Sequence, residues 1–276
     1  MRKGKIMGQV MLAIVLLLVF LVVIFPLFWA VGVSFDKSAM TRIPTFSLWP
    51  KQPSLFAYQF ALKTVALGRY YLNTLFVTAM NTFLSVFFAL ACGYAFAKGR
   101  FALKTFWYYF MLAVMIIPFE SRLIPLFLQY QSWGMINTYW PLILGAPGYV
   151  YGIFFARQNI MSIPDSLRES AYLDGAGEWR IFFRIIAPLS LPAISTLAIL
   201  QVLNNWNSYL WPLVVLRSRE SQVISVGLAY FNSGENASYY APKMAVAVLS
   251  AVPLVIIFLI LQRHIVQSMA MAGIKQ

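Results

Sequence analysis

The sequence predicts an all-α fold: a polytopic membrane protein of six transmembrane helices. Three observations carry that prediction. Hydrophobic residues make up 61% of the 276 and charged residues 11%, against about 25% charged in soluble domains. The apolar residues gather into runs that match the roughly 20 residues a helix needs to cross a bilayer. Between two of these runs sits a compact charged island, Ser162 to Pro188, SIPDSLRESAYLDGAGEWRIFFRIIAP. Backbone groups in hydrocarbon must be satisfied within their own segment, so the runs are helices.

The first run, Val10 to Val33, follows Arg2, Lys3 and Lys5. A signal peptide opens the same way, and Ala30-Val31-Gly32 resembles a cleavage site. The run exceeds the roughly 7–15 residues of a signal core, however, so it reads as a retained span. Ser34 to Tyr71, with Pro44, Pro50 and Pro53, reads as an extracytoplasmic segment with an amphipathic helix near Leu55 to Leu67. It faces either a partner outside the membrane or the membrane surface. The second span is Leu72 to Ala97 and the third Thr105 to Leu128.

Inside the third span, Pro118 and Pro125 are expected to break the helical ladder around Glu120 and Arg122. These charges either line a cavity or reach interfacial water at the outer helix end. Tyr139 to Ala156, holding Pro147, is the fourth span, and Leu191 to Leu216 the fifth. Met244 to Leu261, holding Pro253, is the sixth. With no internal repeat and no soluble segment of domain size, residues 1–276 read as one transmembrane domain.

The charged island reads as helix, glycine turn, helix. Pro164 suits a first helical position, with Ser162 or Asp165 able to cap. Gly175 supplies a left-handed turn residue. Trp179, Phe182, Phe183 and Ile186 recur at i, i+3, i+4 and i+7, an apolar stripe on a charged helix. A membrane protein that projects such a knob offers it to a partner; the bland alternative is an ordinary surface hairpin.

Polar residues embedded in a span are costly and usually face the bundle interior. In the fifth span Gln201, Asn204, Asn205 and Ser208 fall on one helical face, interleaved with Trp206, Asn207, Tyr209 and Trp211. Amides donate to and accept from sugar hydroxyls, and aromatic rings stack on pyranose faces. Hydrogen bonding between helices is the competing use of each residue.

Other chemistry is excluded by what the chain lacks. One cysteine, Cys92, and one histidine, His264, provide no disulfide, zinc cluster or Ser-His-Asp set. No catalytic or metal residue is assigned. There is no phosphate-binding loop and no dinucleotide fingerprint, so any ATP used must be bound elsewhere. The net charge of +13 is scattered among loops. It suits anionic lipid headgroups, and no nucleic acid is expected.

Glu169, Ser170 and Ala171, then Asp174, Gly175 and Ala176, then Ile185 and Pro188 resemble the EAA loop of ABC-importer permeases. The longer run resembles the carbohydrate-uptake, maltose-G-like class. Ser170 and Ala187 depart from the usual alanine and leucine. Asn205-Trp206-Asn207-Ser208-Tyr209-Leu210-Trp211-Pro212 resembles the W-N-x-x-L-W-P run of sugar-importer permeases. Met269 to Gln276, with Gly273-Ile274-Lys275, resembles the short tail by which that class reaches its ATPase; a frayed terminus reads the same way.

The resemblance implies a cytoplasmic EAA coupling helix-turn-helix over residues 157–190. Glu169, Ser170, Ala171, Asp174, Gly175, Ala176, Phe182 and Pro188 would couple to the ATPase. Glu120, Gln201, Asn204, Asn205, Trp206, Asn207 and Ser208 would line the substrate pathway. Expected partners are a homologous permease subunit, two cytoplasmic ATPase subunits, an extracytoplasmic solute-binding protein, a carbohydrate and membrane lipid. No cofactor is expected on this chain, ATP and Mg being held by the ATPase. The expected location is the bacterial plasma membrane.

Loop charges agree with a cytoplasmic N-terminus only weakly: 12 of the 21 Lys and Arg fall on that side. The rival readings are an ABC permease for another solute and a motor-independent carrier or membrane enzyme. The latter would want a carboxylate in mid-span, for which Glu120 is the candidate.

Overall fold

The computed structural model describes the backbone of residues 2–40, 44, 47–229, 231 and 239–273, with side chains from residue 8 to residue 259 within those ranges. Ile274 and Lys275 of the expected tail contact, and the His264 side chain, lie outside the described residues. No strand occurs among the described residues, only an isolated bridge between Asp36 and Pro53.

The helices in the first half are α1 (Arg2–Ser34), α2 (Phe56–Thr64), α3 (Leu67–Lys98), α4 (Lys104–Ala113), α5 (Phe119–Ser132), α6 (Trp140–Ile143) and α7 (Val150–Met161). There follow α8 (Asp165–Leu173), α9 (Glu178–Ile181), α10 (Ala187–Leu189), α11 (Leu191–Asn207), α12 (Leu210–Val215), α13 (Ile224–Ala229) and α14 (Tyr240–Gly273). Residues 1–67 with 227–253 form one compact unit, and residues 68–226 with 254–276 another.

In the first unit, α1 runs through Pro26 without a break and leaves its side chains from Val10 to Val23 exposed. Such a surface belongs in hydrocarbon, not water. Past the end of α1, the Asp36 carboxylate gathers the chain. It accepts from the Ser38 amide and hydroxyl at 2.9 and 2.8 Å, and from the amides of Lys51 and Gln52 at 3.0 and 3.2 Å. Burial pushes the Asp36 carboxyl up, but these hydrogen bonds, led by Lys51, hold it below its ordinary range. The expected amphipathic helix is present as α2, whose Ala57 packs with Val33, Ala39, Ala241 and Ala245.

The second unit is organised on α3. Ala89 and Gly93 on α3 meet Gly152 and Ala156 on α7, small residues four apart on both helices. A Cβ on Gly93 would lie 2.8 Å from the Ala156 Cβ and 2.9 Å from the Arg157 amide nitrogen. This is the small-residue spacing that lets membrane helices approach backbone to backbone.

Two of the expected spans are bent. The α4 segment and α5 meet at 99° around Pro118, which lacks the N–H that would bond the carbonyl four residues back. Pro125, also expected to break the ladder, instead sits inside a continuous α5. The fifth run breaks between α11 and α12 at Ser208 and Tyr209, four and three residues before Pro212. The freed Ser208 carbonyl accepts from the Ser225 hydroxyl at 2.6 Å, a partner for a backbone acceptor that the interruption leaves outside the helix.

Among the described residues, three helices qualify by length and apolarity to cross a membrane, or up to five if each bent pair is one span. The segment expected as a fourth span, 139–156, is the four residues of α6, a 3₁₀ turn at Ala146–Gly148 and the start of the 12-residue α7. Pro147 lies within that turn.

Candidate functional site

Two places collect the residues singled out by sequence. The first is the knob formed by α8 and α9. Pro164 occupies the N-cap position of α8, one residue before the place expected, and no side chain caps the helix. Ser162 is engaged with the Asn159 carbonyl at 2.7 Å, and Asp165 pairs with Lys98 at 2.8 Å. Helix α8 ends in a Schellman turn. Gly175 has φ +75°, its amide bonds the Tyr172 carbonyl at 3.0 Å, and the Ala176 amide bonds the Ala171 carbonyl at 2.9 Å.

Beyond the turn, the ladder widens to a π-helix over Phe182–Ile186. Pro188 follows, whose missing N–H cannot bond Arg184 inside that segment. The expected stripe is therefore divided. Phe182 and Ile186 are buried with Ile181 in the core around α3 and α7. Trp179 and Phe183 are exposed and stack on each other with centroids 6.0 Å apart.

The residues expected to couple divide the same way. Ala171 and Phe182 are buried, Ala176 half-buried, and Glu169, Ser170, Asp174, Gly175 and Pro188 exposed. The side chains of Glu169 and Asp174 make no hydrogen bond or ion pair among the described residues, which leaves both acids available to a partner.

What fixes the knob was missed by sequence reasoning. Glu178 accepts from Tyr94 at 2.5 Å, from Arg168 at 2.9 Å and from Tyr172. Arg168 also donates to the Lys98 carbonyl at 3.0 Å, and Lys98 to the Ile163 carbonyl at 2.7 Å. Burial pushes the Glu178 carboxyl up, but hydrogen bonds from Tyr172, Tyr94 and Arg168 hold it below its ordinary range. A carboxylate and a guanidinium ten residues apart give no sequence signal until the glycine turn folds α9 back on α8.

The second place is a cavity of about 740 Å³. It brings together Glu120, Gln201, Asn204, Asn205 and Ser208, five of the seven residues expected to line a pathway. Trp206 and Asn207 do not join them. Trp206 is buried beside Tyr71, with ring centroids 6.3 Å apart, and Asn207 bonds its own helix at Leu203. Glu120 and Arg122 both line the cavity, are exposed, and form no ion pair among the described residues.

The amides of α11 play two roles. Gln201 donates to the Ser85 hydroxyl at 2.7 Å, and Asn205 to the Asn81 side chain at 3.0 Å and the Gln201 carbonyl at 2.8 Å. Asn81 in turn donates to the Leu142 carbonyl at 2.7 Å. These bonds tie α11 to α3 and α6. Asn204 is exposed, and its side chain makes no hydrogen bond among the described residues.

Asn81, Tyr130 and Tyr149 also line the cavity and were not anticipated. The signal for Asn81 was present in Thr74, Thr78, Asn81, Thr82 and Ser85, a buried polar stripe at helical spacing in an otherwise apolar run.

A family profile described as "binding-protein-dependent transport system inner membrane component" matches residues 85–271. The chain belongs to this family. It is 37% identical over 205 residues to the arabinooligosaccharides transport system permease protein AraQ of Halalkalibacterium halodurans, covering 74% of this chain and 72% of that one. To the protein of the same name from Bacillus subtilis it is 32% identical over 272 residues, covering 97% and 96%. A crystal structure of a bacterial ABC transporter involved in the import of the acidic polysaccharide alginate superposes with a TM-score of 0.84 at 26% identity, covering 95% of this chain and 98% of that one.

This inner membrane component is therefore a multi-pass protein of the bacterial plasma membrane and the permease subunit of a binding-protein-dependent ABC importer.

Proposed function

We propose that this inner membrane component conducts a sugar or oligosaccharide and is driven by a separate ATPase that docks on the α8–α9 knob. The carrying observation is the cavity, where amides, a hydroxyl and aromatic rings converge with two unpaired charges. That lining suits a polyhydroxylated solute, and relatives such as AraQ bear oligosaccharide names. Glu169, Ser170, Asp174 and Gly175 are the exposed face of the knob and would meet the ATPase cleft. Ala171, Ala176, Phe182 and Pro188 would hold its shape.

ATP and Mg would reside on two ATPase subunits, with a homologous permease beside this chain and a solute-binding protein outside. No catalysis and no cofactor are assigned to this chain. Six crossings, with the knob in the cytoplasm, complete the proposed topology.

Transport tests the cavity. Asn204 has no structural bond to lose, so Asn204→Leu should weaken uptake of the cognate sugar about 5- to 150-fold, as one unpaired substrate hydroxyl costs about 1–3 kcal/mol. Assembly should be unchanged. Asn205→Leu should damage both uptake and stability, because it also removes one of the side-chain bonds between α11 and α3, leaving that of Gln201. Unchanged uptake in the Asn204 variant would mean that the cavity handles no sugar.

Labelling tests the topology. With Cys92 replaced by serine, a cysteine in place of Asp174 should react with an impermeant thiol reagent only in inside-out vesicles. One in place of Glu220 should react only from outside; labelling of both from one side would refute the arrangement. Gly234, in the same outer loop, lies outside the described residues.

A further inference from the structure

A cleft of about 310 Å³, separate from the knob face and the large cavity, lies between α4 and α7. One part of its lining is cationic. Lys104 is fixed by donating to the Ala97 and Gly99 carbonyls at 3.2 and 2.9 Å. Arg157 donates through Nε to the Phe96 carbonyl at 3.3 Å and stacks 4.2 Å above the Tyr108 ring centre. Its terminal N–H groups have no hydrogen-bond partner among the described residues.

No carboxylate lines the cleft. The ion pairs among the described residues join Lys98 to Asp165 and Arg168 to Glu178, so neither Lys104 nor Arg157 is neutralised. The hydroxyl of Tyr108, a residue only 7% exposed, is buried without a hydrogen-bond partner. Two held cations without a counter-ion, beside an unsatisfied hydroxyl, make a place for an anion.

The rest of the lining is mixed, with Thr105 and Gln158 polar and Phe96, Leu112 and Phe154 apolar. Leu112 lies eight residues along α4 from Lys104, about 12 Å, and Phe154 sits about one turn before Arg157 on α7; both line the cleft. Phe106, Trp107, Tyr109 and Phe110 on α4 are exposed, the aromatic belt expected where a helix enters the headgroup region. A soluble anion would need no such apolar extension.

We propose that this cleft seats one acidic phospholipid, its phosphodiester held by Lys104 and Arg157 and an acyl chain laid along Leu112 and Phe154. The inference rests on the membrane placement of the chain and not on the sugar or docking assignments. Lipid retention is read without transport or ATP, so its failure is separable from theirs.

The test uses the full chain, purified with its native partners and placed in phosphatidylcholine nanodiscs with or without phosphatidylglycerol. Retained lipid is counted by native mass spectrometry, and the melting temperature is followed against added phosphatidylglycerol or inorganic phosphate. The wild type should retain phosphatidylglycerol and melt higher with it, and phosphate should not substitute. The Lys104→Gln/Arg157→Gln double variant should bind phosphatidylglycerol roughly 30-fold more weakly, as expected for losing two cations at a membrane surface.

Lys104→Arg/Arg157→Lys, which keeps both charges, should retain the lipid. Arg100→Gln, which removes an exposed charge outside the cleft, should change nothing. Equal retention in the glutamine double variant and Arg100→Gln would overturn the proposal, as would protection by phosphate equal to that by phosphatidylglycerol. If the glutamine variant fails to assemble, a wild type indifferent to phosphatidylglycerol would overturn it by itself.

Discussion

Gly175→Val is expected to lose the ATPase from the purified transporter while the chain still inserts in the membrane. Gly175 holds φ +75° in the Schellman turn that closes α8. A Cβ there would meet no atom within 4 Å, so the cost is backbone strain and not collision, about 1–3 kcal/mol for a residue forced into a left-handed conformation. Relief of that strain would open the turn, displacing Asp174 beside it and releasing α9 from α8. Gly175→Asn should recover much of the association, because asparagine tolerates this conformation. Co-purification of the ATPase with each variant decides it; normal association in Gly175→Val would remove the knob as the docking element. Glu169→Ala, in contrast, touches no internal partner. It should preserve the knob and uncouple hydrolysis from transport.

Glu178→Ala is expected to have the second-largest effect. One carboxylate receives Tyr94 from α3, and Arg168 and Tyr172 from α8, so its removal loosens the knob on α3, where the Lys98 contacts remain, and cuts these side-chain bonds between the two short helices. Hydrogen bonds to a charged group are worth about 1.5–3 kcal/mol each where buried. The half-exposure of this pair reduces that, and roughly 1–3 kcal/mol in total is expected. Binding-protein-stimulated ATP hydrolysis should fall with little change in membrane insertion.

The sign of the pH dependence follows from the lowered carboxyl. Its stabilisation is fully present above the ordinary glutamate value and is lost as pH falls through the lowered one. Wild-type coupling should therefore hold through neutral and mildly acidic pH. It should approach the behaviour of Glu178→Gln only in stronger acid. A Glu178→Ala transporter with normal coupling would show that the network merely decorates the knob.

The knob was legible because its signals are local. A proline, a glycine that needs positive φ and a charged run between apolar ones all act within a few residues. The membrane class and the cavity-facing amides were legible because apolar runs and helical spacing are properties of single segments. What could not be read depends on long-range pairing. The division of Trp179 and Phe183 from Phe182 and Ile186 follows from which faces meet α3 and α7. The short α7 and the turn before it looked like one apolar run, since hydropathy does not record where the backbone bends. Pro125 shows the reverse error: a residue that usually ends helices is carried inside one. Trp206 and Asn207 lie in the sequence run with Asn204 and Asn205 but on other faces of α11, so neighbours in sequence part company in space.

The close seam between α3 and α7 has a mechanical consequence. Tyr149, immediately before α7, lines the cavity, and Met161, at its end, leads within four residues to the knob. Twelve residues of helix span about 18 Å, and the seam of Ala89, Gly93, Gly152 and Ala156 allows little slack between the rods. A tilt of ten degrees imposed at the knob would sweep the cavity end by about 3 Å over that length, the diameter of a water molecule. The other route from the knob passes through the widened π turn and the 78° bend into α11, a compliant joint. Force applied at the knob would thus enter the cavity by two routes, stiffly through Tyr149 and softly through the amides of α11, so the two walls need not move in step.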